Sequence, residues 1–296
     1  MAALKKKTIR PHKLPTMGKK GTYAERVAAR MQKVFGDDKV MLANSERVRG
    51  KVRDVIPSPL AVLNEDLFQC GGAPVGRIGE VFGVPGVGKS SLGLGWLAEC
   101  QKMGGLACLS EVERQLDIEV RAPAFGLDTS QLLWWQPESI EDVMQQFETL
   151  ALARAEEDPT TRPPCMFIWD TLAATPTQRE INEGLQGKAA TAERARIMSN
   201  SLRLVPGYAE RGGIAVVFIN QVRSKIGDMF GRDTQSVGGN AIKFHAAWRL
   251  ELMGGTAVKQ GTRHIGKDPI LWLLKHKDGT PLRKERVRLL YESGWD

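Results

Sequence analysis

From Arg77 onward, short continuous apolar runs alternate with stretches of helical spacing. Arg77–Phe82, Leu106–Ser110, Leu132–Trp135, Met166–Trp169 and Ile214–Ile219 read as strands. Between them, Ser90–Met103, Ile140–Glu157 behind the cap residue Ser139, and a segment around Glu193–Val205 read as helices. Apolar runs without polar alternation mark strands buried on both faces. The expected fold is therefore α/β, a mostly parallel twisted sheet flanked by helices. Trp248–Leu252, Ile270–Leu274 and Val287–Tyr291 supply later strands with no helix between them, which predicts an antiparallel edge. Ahead of this core, Thr22-Tyr-Ala-Glu25 has the spacing of a capping box, and Val27, Met31, Val34 and Phe35 share one helical face that Gly36 ends. This short amphipathic helix either folds onto its own core or docks on a neighbouring subunit. The expected organisation is a basic tail (1–21), a helix and linker (22–56) and a core (57–296). No internal repeat is present.

Composition changes this picture little, and charge changes it locally. Apolar residues make up 42% of the 296-residue chain, an ordinary share for a soluble protein, and no run is long enough to span a membrane. Four cysteines without C-x-x-C pairing argue against zinc or a disulfide framework and point to a reducing cytoplasm. The net charge of +8 is concentrated at the N-terminus. Residues 1–21 hold seven basic residues and no acid, and without them 35 basic residues face 34 acidic ones. Nucleic-acid affinity in the body must then come from patches, one being 243–288 with eleven Lys/Arg against four Asp/Glu. The tail is expected to be disordered, either contacting DNA or merely solvated.

The sharpest chemical signal is "GVPGVGKSS". Gly83, Gly88, Lys89 and Ser90 stand in G-x-x-x-x-G-K-[ST] register, directly after an expected strand and opening an expected helix. Gly83, Val84, Pro85, Gly86, Val87, Gly88, Lys89, Ser90 and Ser91 thus form a candidate nucleotide-binding loop. Glycines let successive amides turn toward one anion, and the helix N-terminus adds partial positive charge. In such a loop the lysine reaches the β- and γ-phosphates of ATP and the serine hydroxyl ligates Mg²⁺. Asp170 closes the Met166–Trp169 strand, where a Mg²⁺-orienting carboxylate belongs. Glu111 and Glu113 follow another strand end, and either is placed to orient a water toward a γ-phosphate.

A second signal is "INQVRSKIGDMFGRDTQSVGGNAIKF". A buried strand ends in two amides, Asn220 and Gln221, and passes into a basic, glycine-punctuated loop too long for an ordinary connection. A neutral amide can bond a γ-phosphate without competing for Mg²⁺, so nucleotide state could order the loop behind it. Arg223 and Lys225 supply charge for phosphates. Met229 and Phe230 either wedge between unstacked bases or pack in a core.

Together, "GRIGEVFGVPGVGKSS", "SEVERQLD", "MFIWDTLAATP", "FINQVRSKIGDMFG" and "VGGNAIKFHAAWRL" resemble the RecA recombinase family of bacteria and phages, in order and in spacing. The likeness runs from about Thr22 to Trp295. It implies an ATP- and Mg²⁺-dependent, DNA-stimulated ATPase that polymerises on single-stranded DNA, pairs it with homologous duplex DNA, and acts in the cytoplasm of a bacterial or phage-infected cell, on the nucleoid. Single-strand-binding and loading proteins are further partners that the family admits. Carried over by position, Glu113 activates the attacking water, and Gln221 senses the γ-phosphate and orders the DNA loop. That loop holds Arg223, Ser224, Lys225, Ile226, Met229, Phe230, Gly238, Gly239 and Asn240. A first DNA loop falls near 183–193, with Arg196 and Arg203 behind it at phosphate-contacting positions. Phe244 matches a subunit-contact residue, as do Val27 and Met31 in the docking helix. Lys275 and Lys277 match a pair that reaches the neighbour's nucleotide. Asp117 and Tyr291 match residues near the bound base.

Three departures accompany this likeness, the first being that the first-loop sequence "NEGLQGKAATAE" diverges from the family's. The family's adenine-stacking tyrosine is replaced by Val120 or Arg121. The family also usually continues into a small regulatory C-terminal domain, so a short, phage-like form is expected. Three other readings compete: a ring helicase on the same core, a nucleotide-gated scaffold without turnover, and a small-molecule phosphotransferase. Intact Lys89, Ser90, Glu113 and Asp170 oppose the scaffold. The long basic loop opposes the phosphotransferase.

Overall fold

The structure, a computed structural model, describes residues 18, 20–36, 40–42, 54–184, 190–223, 235–236 and 241–296. They fall into two separately packed units, divided between Arg53 and Asp54. In the first, helix α1 (Tyr23–Phe35) carries the expected capping box: the Thr22 hydroxyl accepts from the Glu25 amide at 3.2 Å, and the Glu25 carboxylate accepts from the Thr22 amide at 2.7 Å. Reciprocal pairing of this kind satisfies two amides that a helix start otherwise leaves bare.

The second unit is organised by one large sheet. Its parallel centre consists of β3 (Ile78–Gly83), β4 (Leu106–Glu111), β5 (Leu132–Trp135), β6 (Cys165–Asp170) and β7 (Ile214–Arg223), in spatial order β3-β7-β6-β4-β5. Helix α2 (Lys89–Lys102) covers one face, while α4 (Ile140–Ala155) and α6 (Ala190–Gly212) cover the other. A third, one-turn helix, α3 (Ile118–Arg121), follows β4, and α5 (Gln178–Glu183) follows β6. Every residue of β3 and of β6 is buried, as the continuous apolar runs require, but the Leu132–Trp135 run of β5, at the end of the sheet, is not, with Leu133 and Trp134 exposed. Beside β3 the sheet turns antiparallel through β9 (Trp248–Gln260) and β10 (Arg263–His276), edged by β11 (Arg283–Arg286), β12 (Leu289–Leu290) and β13 (Gly294–Trp295). A two-residue pair, β1 (Val55–Ile56) with β2 (Ala73–Pro74), lies outside this sheet, β8 (Gln235–Ser236) pairs with the end of β7, and α7 (Ala241–His245) precedes β9.

The expected strands and helices are all present, with three differences of extent. Strands β9 and β10 run far past the expected Trp248–Leu252 and Ile270–Leu274. The outer half of β9 is mostly exposed and that of β10 mostly half-buried, and glycines and polar residues interrupt both, so continuous apolar runs mark only the inner halves. The expected Val287–Tyr291 strand shrinks to Leu289–Leu290, as the chain turns into β13. Helix α6 continues beyond Val205 and past Pro206, because Ala209 on its next turn is still packed against the sheet.

Candidate nucleotide site and its neighbours

Four parallel strands deliver their C-terminal ends to one place. Gly83 of β3 pairs in register with Gln221 of β7, and Glu111 of β4 pairs with Asp170 of β6. Ligands of open α/β sheets bind at such strand ends. The phosphate loop follows β3 directly and runs into α2. Two of its glycines are required by geometry. Gly88 has φ 109°, a backbone region that side-chain-bearing residues rarely enter, and a Cβ on Gly83 would lie 2.1 Å from the Leu252 carbonyl.

Lys89 is nearly buried, with 8% of its surface exposed, and its ammonium donates to the carbonyls of Gly83 (3.0 Å) and Val84 (2.8 Å). Burial lowers its pKa, and the nearby Asp170 and Glu113 carboxylates counter this. Asp170 is buried, which pushes its carboxyl up to about 6, while a hydrogen bond from Ser90 pulls the other way and the Glu113 and Glu111 charges push it further up. A carboxylate concentrated among other acids beside a serine hydroxyl offers hard oxygen donors, the type that Mg²⁺ prefers. Among the described residues no group of three or more His, Cys, Asp or Glu side chains forms a self-sufficient metal cage.

A buried polar chain reaches the same site from the sheet interior. Arg249 Nε donates to Glu80 Oε2 at 2.5 Å, and Asn220 Nδ2 donates to Glu80 Oε1 at 2.9 Å. The Gln221 amide N–H donates to Asn220 Oδ1 at 2.9 Å, and Gln221 Nε2 donates to Glu113 Oε1 at 3.1 Å. The Arg249 guanidinium also lies 4.5 Å from the centre of the Phe82 ring. The two amides near the end of β7 are therefore each held by side-chain bonds. Asn220 is held by a buried ion pair, and Gln221 is bonded to one of the two candidate water-orienting carboxylates.

On the other side of the loop, a pocket is lined by Gly86, Gly88, Lys89, Ser90, Ser91, Arg121, Lys267, Leu289 and Tyr291. Arg121 donates to the Tyr291 carbonyl at 3.1 Å, whereas Val120 is 69% exposed and outside this pocket, so of the two residues Arg121 is the one facing it. Asp117 does not line the pocket; its carboxylate caps α3, accepting from the Val120 amide at 3.3 Å.

The remaining sequence-selected residues lie away from the phosphate loop. Arg196 and Arg203 are exposed two turns apart on α6. Phe244 is 73% exposed at the end of α7. Lys275 does not line its own chain's pocket; it donates to the Lys243 carbonyl (2.6 Å) and the Phe244 carbonyl (3.4 Å), at the C-terminal end of α7. Lys277 is exposed two residues on. Val27 and Met31 lie on α1. For Arg223 the backbone at the end of β7 is described, while Ser224, Lys225, Ile226, Met229, Phe230, Gly238, Gly239 and Asn240 lie outside the described residues, as do 185–189 of the first expected loop.

Sequence reading missed two features. The Glu80–Arg249 pair was signalled by charged residues inside "RIGEVFG" and "AAWRLEL", since a charge in a buried strand needs a partner. Lys267 gave no signal, because it stands in a polar hairpin among other lysines and arginines.

A glycine-rich phosphate loop at the strand ends of a helix-covered parallel sheet defines a nucleotide-binding α/β core. Within that class, the family model described as the RecA N-terminal domain matches residues 23–296. Protein RecA of Psychrobacter arcticus is 35% identical over 266 residues, covering 90% of this chain and 72% of that protein. Protein RecA of Citrifermentans bemidjiense is 34% identical over 267 residues (90% and 75%), and that of Thermotoga maritima 32% over 284 residues (96% and 76%). The chain belongs to the RecA family.

Proposed function

We propose that this chain assembles with ATP on single-stranded DNA as a helical filament, and that hydrolysis to ADP and phosphate drives exchange with homologous duplex DNA. Membership of the RecA family makes it a recombinase of DNA recombination and repair, and in general terms a nucleotide-binding, DNA-binding, DNA-dependent ATPase that self-associates. No helix among the described residues is long and apolar enough to cross a membrane.

The observation that carries the finer reading is the bond from Gln221 to Glu113 at 3.1 Å, one strand away from the phosphate loop. A γ-phosphate offers that amide a second ionised acceptor in competition with Glu113. Drawing Gln221 toward it releases Glu113 to orient the attacking water and shifts the end of β7, from which the basic loop departs. Turnover and DNA grip then respond to one side chain. Lys89 exchanges loop carbonyls for phosphate oxygens. Ser90 and Asp170 would hold Mg²⁺, which when bound neutralises charge on the β- and γ-oxygens. Arg121 and Tyr291 form the walls for the base. Arg196, Arg203 and the loop from Arg223 to Asn240 grip the DNA backbone, Met229 and Phe230 wedging between bases. Lys275 and Lys277 complete the neighbouring protomer's site, and Phe244, Val27 and Met31 contribute to the subunit contact.

Electron microscopy with single-stranded DNA and a non-hydrolysable ATP analogue tests this reading. Helical fibres are expected. Closed rings would instead support a helicase, and isolated particles would overturn assembly altogether.

A further inference from the structure

The pocket beside the phosphate loop holds a second lysine, on an element with no sequence link to the loop motif. Lys267 projects from the outer half of β10, opposite Leu289 of β12 in register, and lines the pocket with Gly86, Gly88, Lys89 and Tyr291. Its ammonium donates to the Gly86 carbonyl and lies 5.5 Å from the centre of the Tyr291 ring. The nearby carboxylates are committed elsewhere: Asp268 to Arg288 at 2.9 and 3.1 Å, and Glu292 to Arg263 at 2.6 Å. Lys267 therefore resembles Lys89 in its surroundings. Each is a partly desolvated ammonium resting on neutral carbonyls of the same loop, Lys89 on Gly83 and Val84, Lys267 on Gly86.

Two cations flanking one glycine-rich loop repel each other, and each depends on burial-weakened solvation. The positive charge of Lys267 contributes to lowering the Lys89 pKa, and burial lowers that of Lys267 itself. An anion between them relieves both costs, because a phosphate oxygen brings the opposite charge that the neutral loop carbonyls lack. The aromatic face of Tyr291 keeps the lysine stem over the pocket mouth, where it can swing from Gly86 to an arriving ligand.

We infer that Lys267 is a second phosphate-binding lysine of this pocket, contacting the polyphosphate of a bound nucleoside di- or triphosphate from β10 while Lys89 holds it from the loop. The inference rests on the nucleotide reading of the phosphate loop. It adds a cation that the loop motif does not contain, and assigns the outer hairpin a part in nucleotide affinity.

The test is equilibrium titration of the full chain with a fluorescent ADP derivative, displaced by unlabelled ATP, ADP or AMP. Lys267→Met, which keeps the stem over Tyr291, is expected to weaken ATP and ADP by about tenfold and AMP much less. Lys267→Arg should restore most of the loss. Lys267→Ala should follow the methionine variant if it folds, with thermal melting as the control. Unchanged ATP affinity in Lys267→Met, an equal loss for AMP, or tighter binding on removal of the charge would each overturn the inference. Failure of the underlying reading looks different: wild-type protein that ignores ATP, or a Lys89→Ala variant that binds it normally.

Discussion

The side chain with the most consequence is Gln221, because it stands at a strand end with two possible partners. Its amide bonds Glu113 at 3.1 Å, and its backbone is fixed by Asn220. Gln221→Ala is expected to bind ATP with near wild-type affinity yet show no rise in ATPase rate on adding single-stranded DNA, measured by phosphate release with and without DNA. Retained stimulation would remove Gln221 from the coupling. Glu113→Gln should keep binding but turn over about 10²–10⁴-fold more slowly, the range for losing a positioned base. Behind them, Glu80 neutralises Arg249 and holds Asn220 inside the sheet. Removing a partner from a buried ion pair costs about 3–5 kcal/mol, so Glu80→Ala should lower unfolding free energy by that amount in urea titration. A loss below about 1 kcal/mol, the range of exposed pairs, would show that the network is solvated.

Among elements, the strand-to-helix junction from Gly83 to Ser90 is where sequence and structure agree best, and the reason is geometric. The motif specifies backbone conformation, not just side-chain chemistry. Gly88 at φ 109° and the contact of Gly83 with the Leu252 carbonyl leave no room for a Cβ. Gly88→Ala should abolish nucleotide binding and lower the melting temperature together, since its Cβ would also meet Leu289 at 2.8 Å. A variant that melts normally and still binds would show the loop to be more adaptable than this geometry allows. The central strands were equally legible, because burial on both faces writes itself as uninterrupted apolar sequence. Outer β9 and β10 were not, since glycines and polar residues break up any continuous apolar run there. The nucleotide site divides along the same line. That Lys89, Ser90, Asp170 and Gln221 stand at strand ends or at the head of the following helix was legible in sequence. Arg121 could not be separated from Val120 in sequence, because one helical turn decides which of two neighbours faces a pocket.

At the scale of the whole molecule, the position of Lys275 matters most. It lies outside its own chain's pocket and donates instead to the Lys243 and Phe244 carbonyls. Burial lowers its pKa, as do the charges of Lys277 and Arg249. A lysine so placed is held by the C-terminal carbonyls of α7, the helix that carries exposed Phe244, an arrangement that favours a cation there. If it serves a neighbour's nucleotide, it must leave those carbonyls as protomers meet, linking ATP occupancy to the conformation of α7. Shared sites have a distinctive genetic arithmetic. Lys275→Ala alone should be inactive because every interface lacks the lysine, and Lys89→Ala alone because every loop lacks its own. In a mixture, some interfaces pair an intact phosphate loop from one variant with an intact Lys275 from the other, and those sites should hydrolyse ATP. DNA-dependent ATPase measured across mixing ratios should therefore rise from near zero to a maximum near equal proportions and fall again. A flat line at zero, with both proteins still joining the same filaments, would place Lys275 in its own protomer's structure and leave the interface without a catalytic share.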